Sequence, residues 1–279
     1  MNENKKMKYL VESEIKNELI SMLFSVDKYM EENHLQYTIF SGTLLGAVRH
    51  GGFIPWDDDI DIAMLRPQYE LLLYKLRKNN VINGGLTAVG FELQNGELPF
   101  IKIINPRIQT EERVSEYSAQ QGCLWIDVFP LDGIPNKKID KYYNILGKIE
   151  KRYLEKRIYV NKWIMCNPED NTFFSKIKKF IKNTFINYNL LTREFIRFAK
   201  KYEVDMDKKI TNNLWGIGYK EAFPAVFMTK LVEYNFENIK VKGIFEADKW
   251  LTIRYGDYMK LPKEQERVNH GLKAWKLDE

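Results

Sequence analysis

Two aspartates one residue apart, Asp59 and Asp61, stand in the run Trp56-Asp57-Asp58-Asp59-Ile60-Asp61-Ile62. On a strand successive side chains alternate faces, so both carboxylates project one way while Ile60 and Ile62 turn to the core. At roughly 6 to 7 Å apart along one strand face, they repel each other unless a cation lies between them. Hard oxygen ligands of this kind suit Mg²⁺ or Mn²⁺, which keep coordination positions for substrate phosphates. Upstream, Gln36 to Phe40 reads as a strand ending in Ser41-Gly42-Thr43, and Leu44 to His50 as a short helix. Free N–H groups at a helix start face an anion, Gly42 lets a phosphate approach the main chain, and Arg49 adds a permanent, fork-shaped cation. The pattern points to metal-dependent chemistry on an activated phosphate.

A third carboxylate lies in Gly122-Cys123-Leu124-Trp125-Ile126-Asp127-Val128-Phe129-Pro130, an apolar strand bounded by Gly and Pro. An acid inside a buried strand needs a cation or a hydrogen-bond donor, which makes Asp127 the third metal ligand, with a further role at the attacking hydroxyl. A solvated surface turn fits the first cluster poorly, because Ile60, Ile62 and Met64 mark a buried strand. A calcium loop fits no better: Ile62 replaces the glycine such a loop needs and Gln68 its closing glutamate.

Four stretches carry a resemblance to the LicD family, the phosphocholine transferases that also resemble fukutin-related glycan-modifying enzymes. They are Ser41 to Ile62 (SGTLLGAVRHGGFIPWDDDIDI), Leu98 to Ile103 (LPFIKI), Trp125 to Pro135 (WIDVFPLDGIP) and Tyr255 to His270 (YGDYMKLPKEQERVNH). The resemblance implies a nucleotidyltransferase-type fold that takes a CDP-alcohol, CDP-choline foremost, and moves its phospho-alcohol to a sugar hydroxyl of a cell-surface glycan, lipopolysaccharide or teichoic acid precursor, releasing CMP. It implies phosphate binding at Gly42, Thr43 and Arg49, Mg²⁺ or Mn²⁺ at Asp59, Asp61 and Asp127, and a further phosphate contact at Lys102. Arg267 and His270 match positions near the donor or acceptor. Departures are few: Lys263 stands where a second proline is common, and Thr43 where many nucleotidyltransferases have serine. The donor alcohol stays open among choline, ribitol and glycerol. The enzymatic alternative is nucleotidylyl transfer from a nucleoside triphosphate with release of pyrophosphate. A silent carbohydrate- or nucleotide-binding module is the rival from another class.

These residues need a scaffold, and the 279-residue chain is long enough for a large α/β (α+β) domain with a helical elaboration. Val11 to Met30 carries a helix-period apolar stripe, Pro67 opens a second helix, and short strands follow around Leu86 and Phe100, as expected of a mixed-sheet nucleotidyltransferase-like core. The expected division is a catalytic core over 1–135, a basic helical region over 136–210 and a C-terminal segment over 211–279 that completes the active site.

The net charge of +5 is unevenly spread: residues 137–210 hold 19 Lys and Arg against 9 Asp and Glu, leaving the remainder acidic. No nucleic-acid-binding motif accompanies the basic segment, so nucleic acid is not an expected partner. Phe173, Phe174, Ile177, Phe180, Ile181 and Phe185, with Lys176, Lys178, Lys179 and Lys182 beside or opposite, form a basic amphipathic pattern. Such a face either packs on the catalytic domain, the favoured reading, or lies on an anionic membrane, where a lipid-linked acceptor would be met. Cys123 and Cys166 suggest neither a disulfide framework nor a metal site, and no run of apolar residues reaches membrane-spanning length. The expectation is a cytoplasmic protein, at most peripheral to the inner face of the membrane. If the donor carries choline, Trp215 and Tyr219 are candidates for an aromatic cage.

Overall fold

In the computed structural model the described residues are 8–111, 122–162, 187–215, 218–267 and 271–277. Helix α1 (Glu12–Glu32) buries Ile15, Leu19, Met22, Leu23, Val26 and Met30, the stripe expected from their spacing. Val11 is its exposed N-cap instead of part of that stripe, and Glu14 returns its carboxylate to the Val11 N–H at 2.9 Å.

The central sheet runs in the order β1 (Thr38–Ile39), β2 (Asp61–Leu65), β7 (Leu124–Gly133), β5 (Ile101–Asn105), β4 (Leu86–Val89), β3 (Val81–Ile82). Only β2 and β7 pair in parallel; the other pairings along this order are antiparallel, so the sheet is mixed as expected. Its middle strands are apolar on both faces: Ile62, Ala63, Met64, Ile103, Ile126 and Val128 are all fully buried. The end of β7 also pairs with β8 (Lys209–Thr211), which pairs with β9 (Phe223–Pro224). A small ribbon of β6 (Ile108–Glu111) and β12 (Lys273–Lys276) lies apart from this sheet.

Three further helices adjoin this core. Helix α2 (Ser41–His50) follows β1 directly, α3 (Arg66–Leu76) follows β2, and α6 (Ala247–Tyr255) follows the hairpin of β10 (Leu231–Phe236) and β11 (Ile239–Ile244). Helices α4 (Ile139–Lys162) and α5 (Tyr188–Ala199) pack on each other around a second cluster that includes Tyr142, Leu146, Tyr153, Phe195 and Ala199. Lys200, just past α5, ties this layer to the core through Glu70 of α3 at 3.0 Å and Glu92 at 3.4 Å. The basic amphipathic pattern of residues 173–185 lies outside the described residues. Among the described residues no helix is long and apolar enough to cross a membrane.

Candidate active site

The site forms where β1 turns into α2 beside the leading ends of β2 and β7. Ser41, the first residue of α2, adopts a left-handed φ of 46°, an uncommon conformation for a side chain-bearing residue that tends to mark functional turns. Phe40 donates its N–H to the Asp61 carbonyl at 2.9 Å, and the Asp61 N–H donates to the Thr43 hydroxyl at 2.8 Å. The helix start and the acidic strand are thus laced together. The backbone of α2 also lies flush on the following loop: a Cβ on Gly46 would sit 2.4 Å from the Gly52 carbonyl oxygen. Glu237, in the β10–β11 turn, fixes that loop by accepting the Phe53 N–H at 2.9 Å and donating its own N–H to the Gly51 carbonyl.

Asp61 and Asp127 are Cα partners on the parallel pair β2–β7, and Lys102 is the Cα partner of Asp127 on β5. In-register neighbours share a sheet face, so two carboxylates and an ammonium form one row across three strands. Asp59 departs from expectation in one respect: β2 begins at Asp61, and Asp59 lies in the loop before it. The pairing of β2 with β7 still reaches back that far, since the Asp127 N–H donates to the Ile60 carbonyl at 3.0 Å.

Electrostatics confirm the clustering. Burial, then the charges of Asp59, Asp127 and Asp57, hold the Asp61 carboxyl well above the usual range, with Arg254 opposing them. Burial likewise pushes Asp127 up to about 6, opposed by Lys102 and reinforced by Asp59. The Lys102 side chain is largely buried, at 8% exposed, and its ammonium sits 3.5 Å from Asp127 Oδ1 and 4.0 Å from the Trp125 ring centre. Asp127 Oδ1 is buried and makes no hydrogen bond.

A buried carboxylate oxygen held only by an ion pair, beside a second carboxylate, is a hard-oxygen donor set of the kind Mg²⁺ takes. Among the described residues no three Asp, Glu, His or Cys side chains are already set as a metal cage.

The other expected residues are placed as follows. Gly42 faces Asp57: a Cβ there would meet Asp57 Oδ2 at 2.7 Å, so this carboxylate lies against the start of α2 where a larger residue would displace it. Thr43 is buried and anchors Asp61 as described. Arg49 is partly engaged, donating from Nη1 to the Tyr258 carbonyl at 2.6 Å. Arg267 is brought to the acidic loop by its guanidinium lying 5.0 Å over the Trp56 ring. His270 lies outside the described residues. Trp215 packs edge-on to Phe100 at 5.8 Å and Tyr219 lies 5.2 Å from Tyr143, so each has an aromatic neighbour and exposed ring surface.

Sequence reasoning missed Arg254, Tyr255 and Glu221. Burial raises the Tyr255 phenol, Arg254 opposes it, and the charges of Asp61 and Asp57 add to the rise, which puts the end of α6 near the acidic row. The spacing of Trp250 and Arg254 on one helix face was the available clue; Glu221 had none.

Residues 34–132 match the LicD/FKTN/FKRP nucleotidyltransferase domain. The chain is 26% identical over 247 residues to a lipopolysaccharide cholinephosphotransferase LicD of Haemophilus influenzae, covering 87% of this chain and 89% of that protein. Shorter matches run to uncharacterized proteins of Rickettsia typhi, 37% identical over 73 residues, and Rickettsia prowazekii, 35% over 86 residues. These cover 23% and 27% of this chain, and 24% and 32% of the respective relatives. The resemblance to the LicD family is borne out.

Proposed function

We propose that this chain, with its LicD-type nucleotidyltransferase domain, is a LicD-type transferase that moves a phospho-alcohol, phosphocholine in the first instance, from a CDP-alcohol to a sugar hydroxyl of a cell-surface glycan or teichoic acid precursor, releasing CMP. The observation that carries this reading is the in-register row of Asp61, Asp127 and Lys102 beside the start of α2.

Asp59, Asp61 and Asp127 would hold Mg²⁺, or Mn²⁺ in its place, which when bound neutralises charge on the diphosphate and on the departing CMP. The N–H groups around Gly42 and the unspent donors of Arg49 bind phosphate oxygens. Lys102 keeps Asp127 oriented and offsets its charge until the site is filled. The acceptor hydroxyl, giving up its proton to Asp127, attacks in line at the phosphorus bearing the alcohol; the bond to CMP breaks as the new ester bond forms. Arg267, lying over Trp56 beside the acidic loop, is placed to meet the donor or the acceptor. A cytoplasmic location at the inner face of the membrane, where a lipid-linked acceptor is presented, fits this reading.

The test is thermal unfolding with CDP-choline, CDP-ribitol, CDP-glycerol, CTP and ATP, each with and without Mg²⁺, since a ligand bound only by the native state raises the midpoint. A metal-dependent rise for one CDP-alcohol, lost in Asp59→Asn, names the donor. A rise for a triphosphate alone overturns phospho-alcohol transfer in favour of nucleotidylyl transfer.

A further inference from the structure

Arg254 closes α6 four residues after Trp250, so both side chains leave the same helix face. Trp250 packs on Phe40, ring centres 4.6 Å apart, and Phe40 immediately precedes the Ser41-Gly42 turn and bonds to the Asp61 carbonyl. One helical turn beyond that contact, Arg254 is carried toward the acidic row. The same end of α6 is tied to the phosphate side of the site through Arg49, which bonds to Tyr258.

Arg254 is only partly satisfied by its neighbours. Its Nη1 is ion-paired with Glu221, and its guanidinium lies 5.1 Å from the Tyr255 ring centre. Yet its Nε is buried without a hydrogen bond, and Glu221 Oε1 is buried without one too. An arginine fork is rarely left with a buried N–H unused, because the lost hydration is not replaced. Here the unused donor belongs to a cation that opposes the acidic charges around Asp61.

We infer that Arg254 is a further donor-diphosphate contact beside the acidic row, and that Glu221 is the positioning residue that holds its guanidinium ready. The inference rests on the phosphate-transfer reading but not on the identity of the donor alcohol. Cations would then lie beside the carboxylates, Arg49 and Arg254 from helices and Lys102 from the sheet. A diphosphate needs such added charge because its own charge exceeds what one divalent ion neutralises.

The experiment is calorimetric titration of inorganic pyrophosphate, CMP and CDP-choline, each with Mg²⁺, into wild-type protein, Arg254→Gln, Arg254→Lys and Glu221→Gln. Arg254→Gln should weaken pyrophosphate and CDP-choline by about 10- to 100-fold and CMP by much less, the range expected for lost charge-assisted hydrogen bonds. Arg254→Lys should recover part of that affinity, and Glu221→Gln should weaken pyrophosphate without changing the number of binding sites. Equal pyrophosphate affinity in wild type and Arg254→Gln would overturn the inference, as would an equal loss for CMP. If Arg254→Gln fails to fold, Arg254→Lys decides: unchanged pyrophosphate and CDP-choline affinity there overturns it. Pyrophosphate binding that depends on Arg254, in a protein that binds no CDP-alcohol, would sustain this inference while overturning the proposed donor.

Discussion

Asp61 and Asp127 stand side by side on neighbouring parallel strands, Cα opposite Cα. Strand spacing puts their backbones about 4.8 Å apart, close enough for two poorly hydrated carboxylates to repel each other. Lys102 offsets one of them from the far side of Asp127. The row is therefore electrostatically incomplete by itself, and this leads to the following expectations.

Asp61→Asn removes a like charge that the unliganded fold tolerates at a cost. We expect its apparent melting temperature without metal to equal or exceed that of wild type, while turnover falls by about 10³-fold, equivalent to several kcal/mol of lost charge stabilisation. Thermal unfolding together with CMP release checks both; a variant that keeps its activity removes Asp61 from the mechanism.

The pH dependence follows from Asp127, whose carboxyl is raised from 3.8 to about 6, first by burial. Because the folded state holds this proton more tightly than the unfolded chain, the stability it contributes is complete below pH 3.8 and is lost as pH rises through about 6. Asp61 shifts in the same direction. Metal must displace these protons, so Mg²⁺ affinity should climb steeply between about pH 5 and 7, up to tenfold per unit for each proton released. Denaturant titrations across this range with and without Mg²⁺ give the answer; Mg²⁺ affinity independent of pH would contradict it.

Lys102→Gln withdraws the cation 3.5 Å from Asp127. The acid limb of the pH–rate profile should then move up by roughly one unit, since a nearby opposite charge depresses a carboxyl by about that much or more. Lys102→Arg, which keeps the charge, should move it less.

Gly46→Ala should be costly for a different reason. Its Cβ would meet the Gly52 carbonyl at 2.4 Å, and that atom is backbone, in a loop braced by Glu237. A loss of roughly 1–3 kcal/mol, typical of overpacking, is expected in urea unfolding. Donor affinity should fall with it, because the same contact seats α2 against the acidic loop.

Asp132, five residues after Asp127 on the same strand, provides the contrast. It is fully buried but receives both Nε and Nη2 of Arg66, at 2.6 and 2.8 Å. Asp132→Ala should destabilise by about 3–5 kcal/mol, because it strands a buried guanidinium. Mg²⁺ affinity of the folded fraction should not change; a specific loss of metal binding would refute this structural assignment.

What the sequence determined alone was local. The period of Ile15 to Met30 was enough for α1, the apolar run around Asp127 for a central strand, and the SGT turn with the Asp59-Ile60-Asp61 run for the kind of chemistry to look for. These are legible because side-chain periodicity and turn chemistry act over a few residues. Tertiary structure decided the partners. In the sequence Lys102 is expected only at a phosphate; the pairing of β5 with β7 sets it in register against Asp127. Asp127 and Asp132 look alike in sequence, and only Arg66, brought in by α3, makes one a satisfied structural acid and leaves the other with an open oxygen. Arg254 and Glu221 meet across 33 positions of chain through the packing of α6 beside the turn before β9. Such pairings depend on strand register and on how helices seat against the sheet, and both are set by burial summed over the whole core, not by any one segment.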